Sequence, residues 1–148
     1  MPSVLVTGAS RGIGRTTAVR LARAGWDVYG GVRSAADGAA LEAEGDGRIT
    51  AVTLDVTDAA QIAGLDAVLP ATLDAVVNNA GVVVGGPVEG LPVDELRRQF
   101  EINVFGQVAV TQAVLPRLRR SRGRVVIVSS VSGRISTPGT PLATTARC

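Results

Sequence analysis

Gly8, Gly12 and Gly14 stand in the run Thr7-Gly8-Ala9-Ser10-Arg11-Gly12-Ile13-Gly14. The run lies between an apolar stretch and a helical pattern, where a strand must turn into a helix. A side chain at that turn would hold the backbone away from a pyrophosphate. Bare N–H groups at a helix N-terminus attract the negative charge. A tight turn without a ligand is the plain alternative, but the strand–loop–helix context favours nucleotide binding. The candidate ligands here are Gly8, Ser10, Arg11, Gly12, Ile13 and Gly14. Their spacing is G-x-x-x-G-x-G, not G-x-G-x-x-G.

Composition removes other chemistries. The chain has no His and no Lys, and its 15 basic residues are all Arg. A Ser-His-Asp triad, a His-based metal site, a P-loop lysine and a Schiff base are therefore excluded. Cys148 is the only Cys, so no intrachain disulfide forms, and Tyr29 is the only phenol. The sequence pI of about 9.5 invites a nucleic-acid reading. The excess is only +2, however, and 3% aromatic content leaves few stacking platforms. Arg117, Arg119, Arg120, Arg122 and Arg124 read as a solvated helix C-terminus, where cations complement the macrodipole.

The elements that must position these groups alternate along the chain. Strands are expected at 3–7, 27–32, 49–54, 73–77 and 124–129. Helices are expected at 15–24, 35–44, 58–69 and 93–120, with Gly25 as a stop, Thr57 or Asp58 as a cap and Pro116 as a kink. The first, fourth and fifth strands are continuous apolar runs, as in a parallel sheet covered by helices on both faces. The fold class is α/β, a Rossmann-like doubly wound parallel sheet in three αβα layers.

Beyond the glycine loop, Asp55-Val56 follows the third strand and Asn78-Asn79-Ala80-Gly81 follows the fourth. Asn103 stands in the long helix, and Ser129-Ser130 ends the fifth strand. With these motifs in this order, the chain resembles the short-chain dehydrogenase/reductase family over nearly its whole length. The resemblance implies hydride transfer between a nicotinamide and a small-molecule carbonyl or alcohol. It implies that Asp55 and Val56 contact the adenine, and that Asn79, Ala80 and Gly81 line the cofactor groove. It makes Ser130 the group that polarises the carbonyl and Asn103 the holder of a water in the proton relay. The plain alternatives are a helix cap for Asp55, a polar turn for residues 78–81, a turn hydroxyl for Ser130 and a solvent-facing amide for Asn103.

Charge indicates the cofactor. An acid after the second strand would bind a ribose 2′-OH and repel a 2′-phosphate. Here the residues are Gly31-Val32-Arg33-Ser34, and Arg11 projects from the glycine loop. Two guanidiniums near one ribose suit a 2′-phosphate, so NADP(H) is expected in preference to NAD(H). The alternative leaves both arginines merely solvated.

The family's proton-donating Tyr and its Lys would fall at positions 143 and 147, which hold Ala143 and Arg147. The resemblance also implies further strands and helices, so a truncated chain is expected: one incomplete dinucleotide-binding domain over 1–148, its fifth strand left as an apolar edge. The expected function is an NADP(H)-dependent oxidoreductase impaired by the missing Tyr and Lys. The alternative is a non-catalytic dinucleotide-binding module or an inactive fragment. No signal-like segment or bilayer-spanning run is present, so a cytoplasmic protein with no membrane or nucleic-acid partner is expected, with self-association through the 93–120 helix.

Overall fold

The computed structural model describes residues 1–131. Five strands, β1 (Ser3–Val6), β2 (Asp27–Val32), β3 (Ile49–Thr53), β4 (Ala75–Asn78) and β5 (Arg124–Ile127), alternate with helices. The helices are α1 (Gly12–Arg23), α2 (Ala35–Glu42), α3 (Ala59–Val68), α4 (Val93–Phe100) and α5 (Gly106–Ser121). All strand pairs are parallel, in the order β3-β2-β1-β4-β5. Such an order reverses direction between β1 and β4, and ligands of open α/β sheets bind beyond the strand ends at that point.

The three layers follow from strand periodicity. Side chains alternate across a strand, so Val4 and Val6 face one way and Leu5 the other. Val4, Val6, Val28 and Val32 pack with Ala18, Val19 and Ala22 of α1 and Leu41 of α2. Leu5, Val52 and Val76 pack with Leu65 of α3 and with Val110, Val114 and Leu118 of α5. The register sets Leu5 beside Val76 on one side and beside Tyr29 on the other. β1 and β4 are buried throughout, as their apolar runs require.

β5 is the expected apolar edge. It is exposed at all four positions, with Ile127 at 56%. Among the described residues it is the terminal strand and has β4 on one side only.

Pro116 lies inside α5, and the 93–120 stretch carries a second irregularity not expected from the sequence. Between α4 and α5 stands a π-helical turn, Glu101–Phe105. Such turns insert one residue and shift the helix face that follows. Gly106 comes next, and a Cβ there would lie 2.7 Å from the Val56 carbonyl oxygen. The glycine therefore lets the helix lie directly against the segment after β3.

Two arginines of the basic cluster have structural partners. Arg117 donates to the Pro70 and Asp66 carbonyl oxygens, both at 3.0 Å, and Arg120 to the Ala71 carbonyl oxygen at 2.9 Å. Both tie α5 to the segment that ends α3.

Candidate functional site

The loops after β1 and β4 meet at the switch point, where Thr7 ties them. Its buried Oγ1 accepts from the Asn79 N–H at 3.0 Å and the Ala80 N–H at 2.9 Å. Asn79 returns the contact, its Nδ2 donating to the Thr7 and Gly8 carbonyl oxygens at 3.0 and 3.1 Å. Gly8 has φ +64°, and a Cβ on it would press 2.9 Å from Ala80 Cα. The two loops can approach this closely because position 8 has no side chain. Asn78 faces the other way and donates to Thr111 Oγ1 of α5 at 2.8 Å.

These loops form the wall of a groove with a cavity of about 290 Å³. One side is Gly8, Ser10, Arg11, Gly12 and Ile13; another is Asn79, Ala80 and Gly81; a third is Arg33, Asp55 and Val56. Eleven of the twelve residues expected to bind a cofactor thus converge on one cavity. Gly14 does not line it. It lies beneath, where a Cβ would overlap the Gly8 carbonyl oxygen and Asn79 Nδ2. Gly31, Leu54, Val82, Ile102 and Val128 also line the groove. Gly31, Leu54 and Val128 come from the ends of β2, β3 and β5, Val82 from the segment after β4 and Ile102 from the π-helical turn.

The groove is built for an anion. α1 begins at Gly12 with no side-chain cap and no acidic residue in its first turn. The N–H groups there have no intrahelical partner, which leaves partial positive charge at the mouth. Gly12, at φ +58°, has open space where a Cβ would stand. Arg11 and Arg33 are exposed, and neither has a carboxylate ion-pair partner among the described residues. Arg15, by contrast, is held by Glu44, whose hydrogen bond and charge raise the guanidinium's already high pKa.

Asp55 is no helix cap. Asp58 caps α3, accepting from the Ala60 and Gln61 N–H groups at 2.9 and 3.1 Å. Asp55 Oδ1 accepts from the Thr57 N–H at 2.9 Å and from the Thr57 hydroxyl at 2.7 Å. The Thr57 N–H chiefly holds the Asp55 carboxyl below its ordinary range; partial burial opposes it, while the Thr57 hydroxyl and the Arg33 charge assist.

The two expected catalytic residues do not line the groove. Ser130 is half-buried just past Val128. Asn103 lies in the π-helical turn, 3% exposed, so the solvent-facing alternative fails. Its side chain pairs with one backbone unit: Oδ1 accepts from the Val82 N–H at 2.9 Å and Nδ2 donates to the Val82 carbonyl oxygen at 2.8 Å. Gln99, fully buried one turn earlier, accepts from the Val84 N–H at 2.6 Å through Oε1. Sequence reasoning missed Gln99 because it follows Arg97 and Arg98 and reads as part of a solvated face. Its four-residue spacing from Asn103 was the available signal. Tyr29 packs with the Leu5 side of the core and not in the groove. The Ala143 and Arg147 positions lie outside the described residues.

A family model described as short chain dehydrogenase matches residues 2–146. The chain is similar to the uncharacterized oxidoreductase YusZ of Bacillus subtilis (strain 168), at 39% identity over 145 residues, 90% of this chain and 50% of that one. It is also similar to an NADPH-dependent 3-dehydrocapnine reductase of Ornithobacterium rhinotracheale, at 33% identity over 148 residues, 93% of this chain and 52% of that one. A solved short-chain dehydrogenase from Streptomyces avermitilis superposes with a TM-score of 0.90 at 37% identity, covering 99% of this chain and 55% of that one. The chain thus spans about half the length of the curated relatives it matches. Among the described residues no helix is long and apolar enough to cross a membrane.

Proposed function

The chain belongs to the short-chain dehydrogenase family, and from that premise we propose that it binds NADP(H) in preference to NAD(H). The observation that carries this reading is the groove at the switch point, where an uncapped helix N-terminus and two guanidiniums in no ion pair among the described residues line one cavity. The N–H groups of Gly12 and Ile13 would hold the pyrophosphate. Arg11 and Arg33 would hold the ribose 2′-phosphate, and Asp55 with Val56 the adenine. Asn79, Ala80 and Gly81 would form the opposite wall. The family relative described as NADPH-dependent supports the cofactor choice.

When bound, the nicotinamide supplies the hydride exchanged with a carbonyl or alcohol carbon. Ser130 would polarise the substrate oxygen through its hydroxyl. Asn103 would hold a water of the proton relay, and its side chain, with both amide ends on Val82, also holds the groove wall. With no Lys and with Tyr29 packed in the core, these residues offer no phenol–ammonium pair to move the substrate proton. Binding with little or no turnover is the expected behaviour of this chain.

The test is a fluorescence titration with NADPH followed by assays on a panel of ketones and aldehydes. At 100 times its Kd the cofactor should contribute about 2.7 kcal/mol, a Tm rise of about 5–10 °C. No binding refutes the cofactor reading; turnover well above background refutes the impairment. The same reading takes Phe105 and Val108, 58% and 52% exposed, as a self-association surface on the helix. Sedimentation of the chain at rising concentration checks this.

A further inference from the structure

We infer that Gln99 is a positioning residue, which fixes the groove wall at Val82 by holding the next alternate backbone unit, Val84. The inference rests on the cofactor reading above and adds a residue to it. Gln99 and Asn103 lie four residues apart on one buried face, a rise of about 6 Å along a helix. Val82 and Val84 lie two residues apart, about 6.6 Å in an extended chain. The two repeats match closely enough for the helix to present amides to the loop as a neighbouring strand would present its backbone. The pairing runs antiparallel: Asn103 takes both polar groups of Val82, and Gln99 takes the Val84 N–H.

The need for such a clamp follows from the loop. Residues 79–87 carry no helix or strand beyond β4, and Gly85 and Gly86 follow directly, Gly86 at φ +153°. Val82 lines the groove while Val83 is 63% exposed, so this stretch has little apolar anchorage of its own. Thr7 and Asn79 hold its start. Gln99 and Asn103 hold the rest. Without Gln99, Asn103 is the remaining side-chain tether of the stretch past Val82 among the described residues, and the groove is competent only in the fraction of molecules whose wall is in place.

The test compares Gln99→Met, which keeps the length and removes the acceptor, with Gln99→Glu, which keeps it. Amide hydrogen exchange is read at Val82, Val84 and the β1 and β4 amides of the full chain, and NADPH affinity is measured alongside. For Gln99→Met, exchange at Val84 should quicken about tenfold while β1 and β4 stay as in the parent. NADPH Kd should rise about tenfold if the competent fraction falls to about one tenth. Gln99→Glu should restore both at least in part. Unchanged exchange at Val84, or quickening spread evenly over β1 and β4 with no rescue by Glu, overturns the inference. So does parental NADPH affinity in Gln99→Met. A parent that binds no NADPH overturns the cofactor reading instead, and the Val84 exchange then decides the clamp by itself.

Discussion

Gly12 and Gly14 stand two residues apart in one loop, yet the structure gives them opposite duties, and alanine at each should separate them. At Gly12 a Cβ meets nothing within 4 Å, but φ is +58°. The left-handed conformation costs an L-residue about 1–2 kcal/mol, a Tm loss of about 2–8 °C in a chain of this size. The methyl would stand where the pyrophosphate must approach. Losing one charge-assisted hydrogen bond costs about 1.5–3 kcal/mol, about tenfold to a hundredfold in Kd. At Gly14 the methyl would overlap the Gly8 carbonyl oxygen and Asn79 Nδ2 and sit 3.0 Å from the Gly8 carbonyl carbon. Backbone cannot step aside cheaply, and moving Asn79 breaks its bonds to Thr7 and Gly8. Overpacking of about 2 kcal/mol plus one hydrogen bond of about 1 kcal/mol gives about 3 kcal/mol, or about 6–12 °C. Differential scanning fluorimetry without ligand and an NADPH titration read the two effects separately. Gly14→Ala melting like the parent would refute the packing argument. Gly12→Ala binding NADPH within about twofold of the parent would refute the phosphate role of the loop.

Arg33→Asp should weaken NADPH binding at least about tenfold to a hundredfold, the worth of a charged hydrogen bond to the 2′-phosphate, and not weaken NADH binding, because the new acid can take a ribose 2′-OH; equal effects on the two titrations remove the argument. Asp55 has a depressed carboxyl pKa, so its contribution is present above about pH 4 and is lost as pH falls through the folded value. Asp55→Asn should therefore show a shallower loss of stability on acidification below about pH 4, and urea curves at several pH values that run parallel to the parent's would exclude this. Thr7→Val keeps the shape but leaves the Asn79 and Ala80 N–H groups unpaired, at about 1–3 kcal/mol each. A Tm fall of at least about 4 °C is expected, and an unchanged Tm would show that the hydroxyl does not tie the loops.

The parts of the fold legible in the sequence are those fixed by local signals. Asp27–Val32 is readable because Gly25, at φ +88°, stops α1 just before it. α3 is readable because Asp58 offers a cap and Pro70 follows its end. The groove is readable because its walls are the ends of successive strands, and a doubly wound order brings those ends together. The π-helical turn is a different matter. One inserted residue leaves the apolar spacing of 93–120 almost unaltered, while the ring of Pro116 announces its own place in the helix. The exposure of β5 does not show in Val125-Val126-Ile127 itself, which looks the same at an edge as in the middle of a sheet; it is expected from the place of the strand in the order. Gln99 escapes notice because its partner is the Val84 backbone, which leaves no mark on a sequence pattern; only its spacing from Asn103 hints at it.

The polar side chains around the groove divide into those that hold it and those left for a ligand. Thr7, Asn79, Gln99 and Asn103 all spend hydrogen-bonding groups on main-chain atoms of the two loops. Their amides and hydroxyl fix the positions of Gly8, Ala80 and Val82, where no side chain could do the recognising. What faces a ligand is then mostly backbone N–H at the start of α1, together with Arg11, Arg33 and Asp55. Backbone donors and an exposed guanidinium pair recognise phosphate charge, not the shape of a substrate. Under the proposed reading, the described strands would carry the phosphate-recognising groups, whereas choice of substrate and proton transfer need groups that these loops do not carry. The same division lets the groove keep its phosphate-facing groups while the only phenol, Tyr29, packs against the core and not in the groove.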